Sequence, residues 1–265
     1  MEERLQRQRF ERKYFITARQ ADQIREIVRA HLVPDSFGEG RPDHAYPVYS
    51  LYVDSSELTT YWATVQCEKR RFKLRVRYYD EDSESPLFFE IKRRENDCIL
   101  KHRGAVRRSA GAALLAGRLP GREHLVVDGP SQLAALQKFC QLMVRLHARP
   151  TATVTYLREA WVSPRGNSAR VTIDRDVRGE LRREADFTTR LDHPVYPFGD
   201  RRVLELKFTD RFPDWFRDLT QHFNLNQSSA PKYCGSVSLA GEVGARNGVR
   251  PGLGARVPAG ALVIR

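Results

Sequence analysis

Lysine and arginine fall on every second position in several short segments of the chain. In Lys73-Leu74-Arg75-Val76-Arg77-Tyr78 three cations alternate with Leu74, Val76 and Tyr78, so a β-strand here puts charge on one face and apolar groups on the other. Phe89-Glu90-Ile91-Lys92, Arg170-Val171-Thr172-Ile173-Asp174 and Leu204-Glu205-Leu206-Lys207-Phe208 repeat the arrangement, and Arg9, Glu11 and Lys13 share a face near the start of the chain. The chemistry such rows can do is anion binding: guanidinium groups grip phosphate oxygens in pairs and ammonium groups add compact point charges. One such strand reads as the solvated side of a half-buried antiparallel sheet. A set of them, with three like charges within residues 73–77, needs either full solvation or an anion between the charges, since neighbouring like charges cost a few kcal/mol at an effective dielectric of roughly 20.

The elements that must hold these faces can be read from period and punctuation. β-type segments are predicted near 8–16, 47–54, 72–79, 86–94, 99–107, 152–162, 169–175, 202–208 and 233–239. Thr17 is placed to cap a helix over 18–32, where Ile24, Ile27, Val28 and Leu32 recur at helical spacing before Pro34. Further helices are predicted after Ser55 or Ser56, after Ser109, over 131–147 and over 213–223. The fold class is therefore α+β. A closed antiparallel β-barrel with its polar side inward and helices packed on the outside would bring the charged faces together; on pattern alone a solvated outer face stands equally open.

The chain has 265 residues, 41% hydrophobic and 29% charged, which fits a soluble globular protein and excludes wholesale disorder or a fibre. Lys plus Arg number 45 against 33 for Asp plus Glu, net +12, so the partner is an anion. No apolar run is long enough for a membrane span and the first residues lack a secretory signal, so the expected location is cytoplasmic. Cys67, Cys98, Cys140 and Cys234 are widely spaced, which suggests neither a zinc site nor a disulfide framework. The Gly- and Arg-rich stretch 241–265 has no regular period and reads as a poorly ordered tail, leaving 1–240 as the folded domain. No Walker A motif is present, Gly38-Glu39-Gly40 is isolated, and no nucleic-acid-binding signature is evident, so nucleic acid is not the expected partner.

Taken in order, Arg-Phe-Glu-Arg-Lys-Tyr at 9–14, Lys-x-Arg-x-Arg at 73–77, Phe-Glu-Ile-Lys at 89–92, Tyr-x-Arg-x-Ala-Trp at 156–161, Arg-Val-Thr-Ile-Asp at 170–174, Leu-Glu-Leu-Lys at 204–207 and Ser-x-x-Lys-Tyr at 229–233 resemble the VTC domain. That is the polyphosphate polymerase domain of the triphosphate tunnel metalloenzyme superfamily, and the resemblance runs from about residue 8 to 240. It implies a β-tunnel whose cations bind a chain of phosphates and whose acidic residues hold Mn or Mg. Carried over, Lys13, Arg75, Arg77, Lys92, Arg158, Arg170 and Lys232 resemble the phosphate-binding residues and Glu205 the metal-binding glutamate. Lys73, Lys101, Arg103 and Lys207 fit the tunnel pattern, Glu11 is a second metal candidate, and Glu90 and Asp174 would orient the cations. Of these, Lys13, Arg75, Arg77, Lys92 and Glu205 are the expected catalytic set. Arg9 stands where the wider superfamily has the first acid of Glu-x-Glu-x-Lys, which weakens a hydrolase-type two-metal arrangement. The chain also lacks the membrane helices and the SPX domain of the eukaryotic complex, both of which a partner could supply.

The expected activity is metal-dependent phosphoryl transfer from ATP onto inorganic polyphosphate. The alternatives are a tripolyphosphate or nucleoside triphosphate hydrolase, in which water replaces phosphate as acceptor, and a polyphosphate-binding module without turnover. If the cations converge, replacing Arg75 or Arg77 by Ala removes mutual repulsion, and the ligand-free protein is expected to keep or gain stability.

Overall fold

A computed structural model describes residues 9–96, 98–164 and 168–246. Nine strands, β1 (Arg9–Ile16), β2 (Val33–Pro34), β3 (Ala45–Asp54), β4 (Arg70–Tyr78), β5 (Leu87–Glu95), β6 (Cys98–Val106), β7 (Arg149–Val162), β8 (Ala169–Leu181) and β9 (Arg202–Thr209), form one antiparallel sheet in the order β2-β7-β3-β4-β5-β6-β1-β9-β8. β7 also pairs with β8, so the sheet curls until its two ends meet. The expected closed barrel is nevertheless not complete. Among the described residues the step from β6 to β1 rests on the single pair Arg9↔Ile99.

The strands form where apolar and charged residues alternate, and each face then finds its own partner. On the convex side Leu74, Val76, Phe89 and Ile91 pack with Leu136, Phe139 and Met143 of a helix over Pro130–Arg145. Tyr14, Ile16, Val171, Ile173, Leu204 and Leu206 pack with Ile24 and Val28 of α1 (Ala18–Arg29) and with Phe216 and Leu219 of a helix over Asp214–His222. Each such side chain contributes about 1.5–3 kcal/mol on burial. Thr17 and Gln20 close a reciprocal cap at the start of α1. α2 (Thr59–Val65), α3 (Arg108–Leu115), α4 (Pro130–Arg145), α5 (Asp214–His222) and α6 (Lys232–Arg246) complete the fold.

Two expectations are corrected by α6. The segment 233–239, predicted as a strand, is helical within Lys232–Arg246, and this helix lies on the concave side of the sheet rather than outside it. Tyr233, Cys234 and Val237 share a buried cluster with Tyr52, Ala152 and Val154, whose strand partners Arg75 and Ser50 mark the concave face. Tyr233 stacks on Tyr52 with ring centroids 4.7 Å apart. The approach is close enough that a Cβ on Gly179 of β8 would lie 2.1 Å from Ser236 Oγ, so only glycine fits beneath the helix. α6 thus occupies part of the concave side, and Lys232 and Tyr233 at its start border the cavity there.

Residues 1–8 of the expected domain and 247–265 of the expected tail lie outside the described residues; 241–246 continue α6. All four cysteines are free. Among the described residues no helix is long and apolar enough to cross a membrane.

Candidate functional site

The alternation reaches its consequence on the concave face. Strand registers set Lys73 opposite Lys92, Lys92 opposite Lys101, Arg75 opposite Glu90 and Glu90 opposite Arg103. Across the other wall Lys13 faces Glu205, Glu11 faces Lys207, Thr172 faces Glu205, Arg170 faces Lys207 and Arg158 faces Asp174. Lys13, Lys73, Arg75, Arg77, Lys92, Lys101, Arg103, Arg158, Arg170, Lys207 and Lys232 all line one cavity of about 620 Å³, together with Glu11 and Glu205. Every predicted site residue is therefore brought to one place, from seven strands and α6.

Buried carboxylates hold the cations in position. Glu90 is 0% exposed and takes the Arg75 guanidinium at 2.8 and 2.7 Å, with Arg77, Lys101 and Arg103 within 3.9 Å. Burial alone would raise its pKa, but these four cations hold it well below the ordinary carboxylate range. Arg75 is thus the counter-ion of a buried acid as well as a cavity cation, which overturns the expectation that its removal leaves the empty protein as stable. Asp174 accepts both Arg158 nitrogens, at 2.7 and 2.8 Å, and the Lys232 ammonium at 2.7 Å. That geometry fixes the plane of the Arg158 guanidinium and the reach of α6.

Glu205 is the most crowded acid. It lies 2.6 Å from Lys207, 3.3 Å from Lys13, 3.4 Å from Lys232 and 3.5 Å from Arg158, and accepts from Thr172 at 3.3 Å. Burial opposes its ionisation, and Lys13, Lys207, Lys232 and Arg158 outweigh burial to hold it far below its usual value. Glu11 is lowered in the same way by Lys13 and Lys92. Their effect on the lysines is uneven. Burial is overcome at Lys13 and Lys232, whose pKa values rise, whereas burial pushes Lys92 down to about 7, with Lys13 adding to the push. Lys101 falls to about 8 for the same first reason, and Lys207 is also lowered.

Glu11 and Glu205 share the Lys13 ammonium, at 3.0 and 3.3 Å. Among the described residues no three His, Cys, Asp or Glu side chains converge as a metal cluster. One or two carboxylates completed by substrate phosphates and water is how hard divalent ions are held in phosphoryl-transfer sites. Glu11 and Glu205 therefore fit a hard divalent ion whose remaining ligands come from elsewhere than the described side chains.

Several residues at the site were not among those expected from the sequence. Asp35 receives Arg170 at 2.8 Å and the Tyr46 hydroxyl at 3.1 Å from a loop without periodicity. Tyr156 accepts from Arg77 at 3.1 Å, and Tyr52 from Arg75 at 3.4 Å. Burial would raise the Tyr52 phenol, but Arg75, Lys73 and Arg77 lower it. Tyr156 and Tyr233 stand inside motifs quoted for Arg158 and Lys232, so the motif was the available signal.

Three solved structures are similar over most of this chain. A candidate adenylyl cyclase from Hippeastrum, which reveals a dominant triphosphatase activity, is 12% identical over 91% of this chain and 96% of its own, with a TM-score of 0.47. A candidate adenylate cyclase from Vibrio parahaemolyticus is 11% identical over 86% and 97%, with a TM-score of 0.43. The PH1819 protein from Pyrococcus horikoshii OT3 is 13% identical over 82% and 86%, with a TM-score of 0.38. At these scores the likeness carries no argument about activity. No curated protein matches the chain. The family comparison is different in kind, because the match to the VTC domain spans residues 8–240 and so takes in every strand, the lining cations and the start of α6. On that match, the chain belongs to the VTC domain family.

Proposed function

We propose that this protein is a phosphotransferase that moves the terminal phosphate of ATP onto inorganic polyphosphate, with Mg or Mn as cofactor. The observation that carries the reading is the charge balance of one cavity: eleven cations line it, against the carboxylates Glu11, Asp35 and Glu205, with Glu90 and Asp174 behind them. A surplus of that size in one enclosed space suits a ligand with several linked anionic groups.

Phosphoryl transfer needs donor and acceptor held in line and the charge of the moving group neutralised. Arg158, squared by Asp174, and Arg75, squared by Glu90, present guanidinium edges that suit bidentate contact with phosphate oxygens. Lys13, Lys207 and Lys232 add point charges around Glu205. Glu205 and Glu11 would hold the divalent ion, which supplies charge neutralisation on the bridging phosphates. As the terminal oxygen of the chain forms its bond to the γ-phosphorus, the bond from that phosphorus to ADP breaks.

The carboxylates in and behind the cavity are poor general bases, which favours phosphate over water activated by a carboxylate; Lys92, at about 7, is the group through which the hydrolase reading stands. Glu11, Glu90, Asp174 and Glu205 all have pKa values lowered by cations, far from the operating pH that activating water calls for. A phosphate oxygen is already anionic and needs no base. The test is incubation of the pure protein with γ-labelled ATP and Mn, followed by gel separation of long chains from orthophosphate. Label in chains supports the polymerase; orthophosphate alone makes the protein a hydrolase; retention of polyphosphate without turnover makes it a binding module.

A further inference from the structure

The cation row on the concave face does not stop where the cavity stops. The β4–β5 register runs without a slip from Arg77 to Arg70, so Arg71 and Arg94 stand opposite each other on the same face as Lys73 and Lys92, about 7 Å further along the strands. Lys73 and Lys92 border the cavity, as does Ile99, the β6 neighbour of Arg94. Arg71 borders instead a second hollow of about 450 Å³, which it shares with Arg70, Phe72, Arg93 and Glu95 at this end of the hairpin.

Backbone carbonyls hold the two outer guanidinium groups. Arg71 donates to the Glu68 carbonyl, and Arg94 to the Asn96 carbonyl at 2.8 Å. Partial burial pushes the Arg71 pKa down, and the Arg94 charge pushes the same way. Deeper in the row acids stand among the cations: Glu90 lies between Arg75 and Arg103, and Glu11 reaches Lys92 at 3.5 Å. Among the described residues no carboxylate pairs with Lys73 or Arg71; the Lys73 ammonium stands 6.0 Å from the Tyr233 ring. Like charges that follow one another along a strand favour an anion between them. The other face of the same hairpin end differs, because there Arg93 pairs with Glu95 at 3.4 Å and Phe72 packs against the convex core.

We propose that Arg71 and Arg94 form a polyanion track outside the cavity, over which the linked phosphates beyond those held at Lys73 and Lys92 run. The proposal rests on the phosphate reading above and adds where a long chain lies. The cavity of about 620 Å³ is finite, so a growing chain outruns it, and the cations it meets next on this face are these two. Each contact at a partly exposed place is weak, so the track discriminates by chain length rather than by tight binding of any one phosphate.

Calorimetric titrations of tripolyphosphate and of long-chain inorganic polyphosphate test this, with wild type, the pair Arg71→Gln with Arg94→Gln, and the pair Arg70→Gln with Arg93→Gln. The second pair removes the same charge from the opposite face. All four side chains are at least partly exposed, and circular dichroism confirms that each variant is folded. Wild type should bind the long chain more tightly than tripolyphosphate. The first pair should weaken the long chain about fivefold or more and leave tripolyphosphate within about twofold, while the second pair leaves both within about twofold. Equal losses of the long chain in the two pairs, a loss of tripolyphosphate as large as that of the long chain, or no loss at all overturn the track. A duplex oligonucleotide weakened by the first pair as much as the long chain makes this end a nucleic-acid surface and overturns it too. Wild type that binds the long chain no better than tripolyphosphate overturns the track alone; wild type that binds neither overturns the phosphate reading with it.

Discussion

Glu205 sits opposite Lys13 in the β1–β9 register, its carboxylate 3.3 Å from the Lys13 ammonium and within 3.5 Å of three other cations. In the empty cavity that acid is the neutraliser of its surroundings, so its removal is a charge event before it is a catalytic one. Glu205→Gln should lower the stability of the ligand-free protein by about 3–5 kcal/mol, the scale of breaking a buried ion pair from one side. In metal-free buffer tripolyphosphate should raise the Tm of the variant at least as much as that of wild type, because the ligand supplies the missing anions. Turnover with Mn should collapse. A folded variant with wild-type activity and metal response would remove Glu205 from the site.

Arg75 and Arg77 lie on one strand and face one cavity, yet they should behave differently when empty. Arg75→Ala strips the closest cation from the fully buried Glu90 and should cost about 3 kcal/mol or more. Arg77→Ala loses a 3.1 Å bond to Tyr156 and a 3.9 Å ion pair, worth about 1–2 kcal/mol. Adding Glu90→Gln to Arg75→Ala should recover most of the loss. Both single variants should lose at least about tenfold in tripolyphosphate affinity. Urea denaturation checks the first contrast and calorimetry the second; equal stabilities for the two variants would mean that Glu90 is not the anchor of Arg75.

How much of this was legible follows from where each signal is stored. The period of two in Lys73–Arg77 is local, so the strand and its charged face could be read directly, whereas the convergence of its cations with those of other strands stood level with a solvated outer face until the family resemblance was added. The resemblance gave Glu90 as a residue that orients cations, but not that Arg75 is the nearest of them, because that depends on strands β4 to β6 meeting in register. α6 was misread because Val237 and the Ser and Gly around it carry little helical preference. Its Tyr233, Cys234 and Val237 face becomes helical against an apolar wall formed by β3 and β7, a tertiary effect invisible to local pattern. The thin β6–β1 step, one pair among the described residues, was hidden for a similar reason: alternation specifies which face turns inward and says nothing about how far two strands overlap.

Lys101 gives the cavity a dependence on pH. Burial lowers its pKa to about 8, against Glu90 and with Arg103 pushing the same way, whereas an ordinary lysine titrates at 10.5. Between those values the unfolded chain holds a proton that the folded protein has released, so this group makes stability rise with pH across that window. A polyanion favours the charged ammonium. Tripolyphosphate binding at pH 9 should therefore take up protons and be weaker than at pH 7. Titrations in buffers of different ionisation enthalpy read the uptake directly, and Lys101→Met should reduce it. Binding heats at pH 9 that do not depend on the buffer would show that Lys101 keeps its proton in the empty cavity.

Asp54 does not line the cavity, yet it ties down the helix that brings Lys232 there. Its carboxylate takes the Thr60 and Tyr61 amides at 2.9 and 3.0 Å, the Thr60 hydroxyl at 2.8 Å and the Tyr233 hydroxyl at 2.8 Å, all in a site only 1% exposed. One acid thus caps α2 and pins the first turn of α6, where Lys232 reaches Asp174 at 2.7 Å. Asp54→Ala leaves those donors without their acceptor and should cost about 3 kcal/mol or more. Tripolyphosphate affinity, measured on folded protein well below the Tm, should fall severalfold, because Lys232 precedes Tyr233 in the chain and shares its anchor. Tyr233→Phe keeps the ring on Tyr52 and gives up only the hydroxyl, so its losses in stability and affinity should both be smaller. Full affinity in a destabilised Asp54→Ala protein would show that the apolar face of α6, and not this carboxylate, sets the position of Lys232.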